Sequence, residues 1–145
     1  MNILRFEKHH IPDLCELEKL CFSSPWSERS FEQELDNRLA VFLVAEDEGI
    51  VLGYIGCHFV CGEGDITNVA VHPDSRRKGV AKALLNALEA ESKKFETEII
   101  NLEVRKSNLP AISLYKQMGY EVCGERPNFY IKPTENAILM AKKVK

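Results

Sequence analysis

Apolar and polar positions near the start of the chain predict a strand followed by a helix. The apolar residues within 2–6 are typical of a short strand. From Pro12 onward, apolar side chains recur at spacings of three and four, which predicts an amphipathic helix. The residues that should share its buried face are Leu14, Leu17, Leu20 and Cys21. The pair His9 and His10 precedes this helix and is expected to be exposed.

A second helix is predicted directly after the first. Ser27 has the position of an N-cap, because its hydroxyl can accept a hydrogen bond from a backbone N–H of the first turn. Trp26 before it and Phe31 after it have the spacing of a hydrophobic staple, in which two apolar side chains close over the start of a helix. The helix should therefore run from Ser27 to about Asp36.

Short apolar runs replace the helical pattern between residues 40 and 71. β-branched and aromatic residues are frequent in these runs, and turn signals that contain Gly49 and Gly62 separate them. Three antiparallel strands in a meander are predicted, and Cys57 and Cys61 should share one core-facing side of the second strand. The runs cover 40–45, 50–61 and 65–71.

The rest of the chain predicts a helix, a strand, a short helix and two closing strands. The first helix begins at Gly79, and Glu103 has a definite face on the strand that follows. The resulting order, β-α-α-β-β-β-α-β-α-β-β, predicts an α/β (α+β) fold in one domain over residues 1–145. Its sheet should be mixed, mostly antiparallel and seven-stranded, with about four helices on its faces. The later segments are a strand over 99–104, a helix between Asn108 and Gly119, and strands over 120–125 and 136–142.

Composition narrows the function classes. The chain has 145 residues, of which 45% are hydrophobic, so a core can form without disulfides or metal. The formal net charge is −3, whereas a protein that binds nucleic acid needs many cationic side chains to neutralise phosphates, so a nucleic-acid partner is not expected. Five cysteines without C-x-x-C spacing predict neither a disulfide framework nor a metal site. With no export signal or membrane-length apolar stretch, we expect a cytoplasmic protein without a membrane partner.

The loop before Gly79 is the strongest candidate for ligand binding. A strand ends there, and the cations Arg76, Arg77 and Lys78 come just ahead of a glycine that opens a helix. Backbone N–H groups and the positive end of a helix dipole favour a phosphate at such a position, and a glycine lets it approach closely. The residues alone also fit a solvated basic loop that leads into a capped helix.

The sequence around Gly79 resembles the Q/R-x-x-G-x-G/A segment of the GNAT superfamily of acyl-CoA-dependent N-acyltransferases. Arg76, Gly79 and Ala81 carry the match. The resemblance implies a GNAT-like fold and acetyl-CoA as co-substrate, with the preceding strand against the acyl-pantetheine arm and the loop against the pyrophosphate. The positions implied for binding it are Val69, Ala70, Val71, Arg76, Arg77, Lys78, Gly79, Val80, Ala81, Lys82 and Asn108.

Further segments resemble the RimI-type ribosomal-protein alanine N-acetyltransferases within that superfamily. The matching stretches are L-E-V-R-K-S-N at 102–108, A-I-S-L-Y at 111–115, P-W-S at 25–27 and R-P-N-F-Y at 126–130. They imply that Trp26, Asn128 and Tyr130 border the acceptor. Two features depart from the pattern, namely Phe129 in place of a tyrosine and Asn136 in place of an acidic residue after a short loop.

Two side chains have the chemistry that acetyl transfer to an amine requires. An α-amino group has an ordinary pKa of about 7.7 to 8.0, so Glu103 could remove its proton directly or through one water. Tyr115 stays protonated near neutral pH and could donate to the departing thiolate. Taken alone, Glu103 could instead be a surface carboxylate paired with Arg105 or Lys106, and Tyr115 a core aromatic residue. Asn108 could be simply an N-cap, and Trp26 simply a staple residue.

The sequence thus predicts an acetyl-CoA-dependent enzyme that acetylates the N-terminal α-amine of a protein. The resemblance makes the N-terminal alanine of a small-subunit ribosomal protein the favoured acceptor, and direct transfer in a ternary complex is expected because no acyl-carrying nucleophile is evident. One alternative is a GNAT enzyme for lysine or a small-molecule amine. A second is a CoA-binding module without catalytic activity.

Overall fold

The computed structural model describes residues 1–145 as one mixed seven-stranded sheet with four helices. The sheet order is β1-β2-β3-β4-β5-β7-β6, and only the β4–β5 contact is parallel. The predicted fold class and order of elements are confirmed. None of the helices is long and apolar enough to cross a membrane. The elements are β1 (Asn2–Arg5), α1 (Ile11–Cys21), α2 (Glu28–Leu35), β2 (Ala40–Asp47), β3 (Ile50–Val60), β4 (Glu63–Val71), α3 (Val80–Ser92), β5 (Ile99–Arg105), α4 (Leu109–Gln117), β6 (Glu121–Tyr130) and β7 (Glu135–Lys143).

Local capping explains where two of the helices begin. The Ser27 hydroxyl accepts a hydrogen bond from the Ser30 N–H at 3.2 Å, which satisfies one of the free N–H groups of α2. The rings of Trp26 and Phe31 lie 5.4 Å apart and close the predicted staple. At α4, the Asn108 side-chain oxygen accepts from the Ala111 N–H at 3.3 Å.

Two hydrophobic clusters cover the two faces of the sheet. Because neighbouring strand residues point to opposite faces, Leu43 packs toward α3 while Phe42 packs toward α1 and α2. The larger cluster includes the buried face of α3 and the side chain of Tyr115 from α4. The smaller one joins α1 and α2 to β2, β3 and β4. The helices are thereby fixed on both sides of the point where β4 ends.

Some core assignments made from the sequence are wrong. Leu20 is exposed because six residues at 100° each place it about 120° around α1 from the buried Leu14. Cys61 lies beyond the end of β3, in a turn where its φ is 50°, so it is exposed while Cys57 is buried. His10, expected at the surface, is buried, and its Nδ1 accepts the Glu7 N–H at 2.9 Å there.

Strand lengths differ from the prediction at two turns. The turn around Gly62 is tight, so β4 begins at Glu63 instead of Asp65. At the other end of the sheet, β6 continues to Tyr130, five residues beyond the predicted end. Its register against β7 shifts between Arg126 and Tyr130, which lets the strand continue with an irregularity.

Candidate active site

The sheet opens between β4 and β5, its one parallel pair. These strands pair at three positions, of which Asp65 with Asn101 is the last. In the β3–β4 ladder, Asn68 lies opposite Gly56 and Ile66 opposite Cys57, so Thr67 is an extra residue in β4. Such a bulge bends and twists its strand. The carboxyl-terminal parts of β4 and β5 therefore diverge and leave a split in the sheet.

Backbone groups on the split edge of β4 have no neighbouring strand to pair with. The His72 N–H donates to the Leu52 carbonyl at 2.8 Å, which points toward β3. Hydrogen-bonding direction alternates along an antiparallel strand, so the N–H groups of Val69 and Val71 point away from β3 and into the split. An extended ligand with carbonyl groups could accept both hydrogen bonds as an added strand would.

A cleft of about 720 Å³ lies against the split, between the end of β4, α3 and α4. It is lined by every position that the sequence suggested for acetyl-CoA except Lys78. Tyr115 also lines it, whereas Glu103, Trp26, Asn128 and Tyr130 do not. The lining residues that sequence reasoning missed are Cys21, Phe22, Ser75, Pro110, Ala111 and Leu114.

One spacing pattern could have found part of the missed lining. Ala111, Leu114 and Tyr115 are three and four residues apart, so they share a face of α4. Cys21 is partly buried against the smaller hydrophobic cluster, as its spacing on α1 predicts, and its thiol points at the Val71 carbonyl, 3.5 Å away. Phe22 follows the end of that helix and had no signal in the sequence.

The N-terminus of α3 faces this cleft. Gly79 is the N-cap, with a left-handed φ of +81°, and no atom lies within 4 Å of the position that a Cβ would take there. The first N–H groups of a 13-residue helix have no partner inside the helix, so they can bind an anion. Glycine therefore fits this position for its backbone conformation and for the open space beside it.

The basic residues of the loop have different roles. The Arg76 side chain forms contacts within the protein. Its Nε donates to the Val71 carbonyl at 3.2 Å, and its Nη2 lies 3.5 Å from the Cys21 sulfur. Arg77 and Lys82 line the cleft and form no salt bridge. They are the cations that remain available to a bound phosphate.

Tyr115 lines the cleft with a side chain that is almost fully buried. The residue is 7% exposed and packs edge-on against Tyr120, with ring centroids 6.1 Å apart. Burial raises the pKa of Tyr115 to about 12, and the nearby Tyr130 phenol contributes in the same direction. Tyr115 is therefore protonated at neutral pH and can act as a proton donor.

Glu103 lies on the exposed face of β5, between the buried Leu102 and Val104. Partial burial raises the pKa of Glu103, and the Asp65 charge adds to this, while the Arg126 guanidinium opposes it. A raised pKa makes the carboxylate a better proton acceptor than an ordinary surface glutamate.

The neighbouring cations do not pair with Glu103. Arg105 forms its salt bridge with Glu135 at 3.1 Å, and Lys106 forms one with Glu125, also at 3.1 Å. The alternative in which Glu103 is a partner of either cation is therefore wrong. Its carboxylate remains available to a substrate.

The Tyr130 phenol interacts electrostatically with Glu103 and with Tyr115, the two candidate catalytic residues. Burial first, and then the Glu103 charge, raise the pKa of Tyr130 to about 12, and Arg105 opposes this. The same phenol contributes to the raised pKa of Tyr115. The Tyr130 phenol thus lies within electrostatic range of both Glu103 and Tyr115, and the three residues come from three different elements.

The other residues predicted to border the acceptor form hydrogen bonds within the protein. Asn128 has a φ of 53°, and its N–H donates to the Asn136 side-chain oxygen at 3.0 Å. The Trp26 N–H donates to Glu18 Oε1 at 2.8 Å, and the same carboxylate accepts the Tyr54 hydroxyl at 2.6 Å. Glu18 is almost fully buried, and sequence reasoning missed it because its neighbours come from other elements.

A mixed sheet that splits after its parallel pair, beside a glycine-capped helix, is the arrangement that the resemblance to CoA-dependent acyltransferases implies. The chain belongs to the acetyltransferase (GNAT) family, whose family model matches residues 11–120.

Two curated relatives and one crystal structure are similar to this chain over most of its length. The [ribosomal protein bS18]-alanine N-acetyltransferase of Escherichia coli is 34% identical over 144 residues, which cover 97% of this chain and 95% of that protein. An N-alpha-acetyltransferase of Sulfurisphaera tokodaii is 31% identical and covers 90% of this chain and 86% of its own length. The crystal structure of the ribosomal-protein-S18-alanine N-acetyltransferase from Escherichia coli superposes with a TM-score of 0.90 at 30% identity, covering 99% of this chain and 94% of that one.

Proposed function

We propose that this protein transfers the acetyl group of acetyl-CoA to the N-terminal α-amine of a protein. The favoured acceptor is an N-terminal alanine of a small-subunit ribosomal protein, as the name of the Escherichia coli relative suggests. One observation carries the proposal. The split between β4 and β5 lies beside a glycine-capped helix N-terminus that can bind an anion; Tyr115 lines the same cleft, and Glu103 lies on β5.

The residues around the split fit acetyl-CoA as a substrate. The free N–H groups of Val69 and Val71 would donate to the amide carbonyls of the pantetheine arm and to the thioester carbonyl. The N-terminus of α3, with Arg77 and Lys82, would bind the pyrophosphate. Because the Asn108 side-chain oxygen caps α4, its amide group is left to donate to the substrate.

The proposed chemistry needs one base and one acid. Glu103 accepts the proton of the acceptor's α-ammonium group, directly or through a water, and the free amine attacks the thioester carbonyl carbon. The C–N bond forms, the C–S bond breaks, and the Tyr115 hydroxyl donates a proton to the departing thiolate. The Val69 or Val71 N–H stabilises the negative charge on the carbonyl oxygen. Both substrates are bound together, so no acetyl-enzyme forms.

The proposed activity also concerns the domain organisation of the chain and its location in the cell. Residues 1–145 would act as one domain, because all seven strands belong to one sheet. All five cysteines are free, which suits the reducing conditions of a cytoplasmic location.

Two substitutions separate catalysis from binding. Glu103→Gln and Tyr115→Phe should each lower turnover, while the Kd for CoA stays within about twofold because neither change touches the phosphate or amide contacts. Turnover at the wild-type level in both variants would contradict the assigned roles. CoA binding without turnover in the wild-type protein would favour the module without catalytic activity.

The pKa of the acceptor amine distinguishes an N-terminal α-amine from a lysine side chain. A lysine side chain has an ordinary pKa of about 10.4 and would demand far more of Glu103 than an α-amine does. Acetylation of lysine, located by peptide mass spectrometry, would move the assignment to the alternative acceptor class.

A further inference from the structure

The Arg105 guanidinium lies between two loops, one that joins α1 to α2 and one that joins β6 to β7. Residues proposed to border the acceptor, Trp26 and Tyr130, lie beside these loops. Arg105 is the last residue of β5 and is one quarter exposed. Its Nη1 and Nη2 atoms donate to four acceptors at 3.0–3.5 Å. Its Cζ atom lies 4.6 Å from the centre of the Tyr130 ring. The acceptors are the carbonyls of Ile131 and Pro133, the Glu135 carboxylate and the Ser23 hydroxyl.

This arrangement, which we call the Arg105 clasp, joins segments that are far apart in sequence. The Ser23 hydroxyl, between α1 and α2, donates to the Ile131 carbonyl at 3.2 Å, across 108 residues of chain. Arg105 donates to both of these oxygens. The loop before Trp26 and the loop after Tyr130 are thereby fixed to each other and to the end of β5.

Glu135 completes the clasp on the side of α4. One carboxylate oxygen accepts from Arg105, and the other accepts the Ser107 N–H at 2.6 Å. The bond from Ser107, followed by the contact with Arg105, lowers the pKa of Glu135, so the pair stays ionised at neutral pH. Since Ser107 precedes the N-cap of α4, the helix that carries Tyr115 is tied to the same cluster.

We propose that Arg105 is a positioning residue for the acceptor, which holds Tyr130 and the two acceptor-side loops in the arrangement that the incoming N-terminus needs. This inference rests on the proposed function. A planar guanidinium can reach several acceptors at once, whereas a lysine ammonium cannot reproduce that geometry. Arg105 makes no contact with the residues implied for the phosphates, so its effect should fall on the acceptor.

The adjacent ion pair supplies a matched control. Lys106 pairs with Glu125 at 3.1 Å, but both side chains are well exposed and Lys106 reaches neither loop. Exposed pairs of this kind contribute little to stability, because solvent screens their charges. Removing the charge at 106 therefore matches the charge change at 105 without breaking the clasp.

Steady-state kinetics on a peptide beginning with alanine would test the inference. Arg105→Gln should raise the peptide KM about tenfold or more, with the Kd for CoA within about twofold of wild type. Arg105→Lys should give an intermediate KM, and Lys106→Gln should match wild type. Circular dichroism and thermal unfolding would verify that each variant is folded.

The outcomes separate this inference from the proposed function. An unchanged peptide KM in folded Arg105→Gln, or an equal loss of peptide and CoA binding, would overturn the positioning role while wild-type turnover kept the proposed function intact. A wild-type protein that leaves the peptide unacetylated would overturn both.

Discussion

Asp65 and Asn101 form the last rung between β4 and β5, and the Asn101 side-chain amide also donates to the Asp65 carboxylate at 3.1 Å. Six residues further along β4, Val71 lies opposite Gly53 of β3 on one side and has no strand on the other. The parallel contact therefore ends where the opening begins. The edge proposed to bind acetyl-CoA is a stretch of β4 that has no neighbouring strand on that side.

Amide hydrogen exchange tests this edge directly. In the free protein, the Val69 and Val71 amides should exchange faster than the Ala70 amide, whose N–H points toward β3. Adding CoA should slow Val69 and Val71 and leave Ala70 unchanged. Equal protection of all three amides before CoA is added would show that the edge is already paired.

Gly79 and Gly49 allow backbone strain to be separated from ligand crowding. Their φ values are +81° and +80°, and neither has an atom within 4 Å of the position that a Cβ would take, but Gly49 lies in the β2–β3 turn and does not line the cleft. Valine at either position should cost about 1–3 kcal/mol of unfolding free energy. Gly79→Val alone should raise the Kd for CoA about tenfold or more. Calorimetric titration of both variants checks this, and an equal Kd in the two would contradict it.

Glu103 should determine the acidic limb of the pH profile. Its raised pKa means that protonation removes the base at a higher pH than for an ordinary glutamate, so kcat should fall as pH drops through that raised value. Glu103→Gln should lower kcat roughly 10²-fold and flatten this limb. An unaltered limb in the variant would assign it to another group.

The same substitution has a predicted effect on stability. A carboxyl group whose folded pKa is raised is stabilised in its protonated form, and that stabilisation is lost as pH rises through the raised value. Glu103→Gln should therefore unfold at the same or a higher temperature than wild type at neutral pH. A lower Tm would show that the carboxylate contributes to the fold.

Direct transfer predicts that the protein never carries the acetyl group. Cys21 is the one cysteine that lines the cleft, and its thiol lies 3.5 Å from the Val71 carbonyl. Incubation with acetyl-CoA alone should leave the intact mass unchanged and release no burst of CoA. A stoichiometric acetylated species that disappears when acceptor is added would establish an acetyl-enzyme instead.

Patterns within one element could be predicted from the sequence. The caps at Ser27 and Asn108, and the order of strands and helices, depend on neighbours a few residues apart. The position of Gly79 at the N-terminus of α3 follows from the same local signals. These features need no knowledge of what packs against them.

Relationships between distant elements could not be predicted in this way. The Arg105 clasp joins residues 23, 105 and 131, and nothing local marks them as partners. The burial of His10 depends on the Glu7 N–H and on the Glu46 carboxylate, 3.2 Å from its Nε2. The bulge in β4 consists of the extra residue Thr67, which has no signal in the sequence.

Release of CoA from acetyl-CoA tests the central claim most directly. The acceptor is a short peptide that begins with alanine and contains one lysine, compared with the same peptide whose N-terminus is blocked. The proposed function predicts CoA release with the free peptide and none with the blocked one. Equal release with both peptides, or none with either, would contradict N-terminal acetylation by this protein.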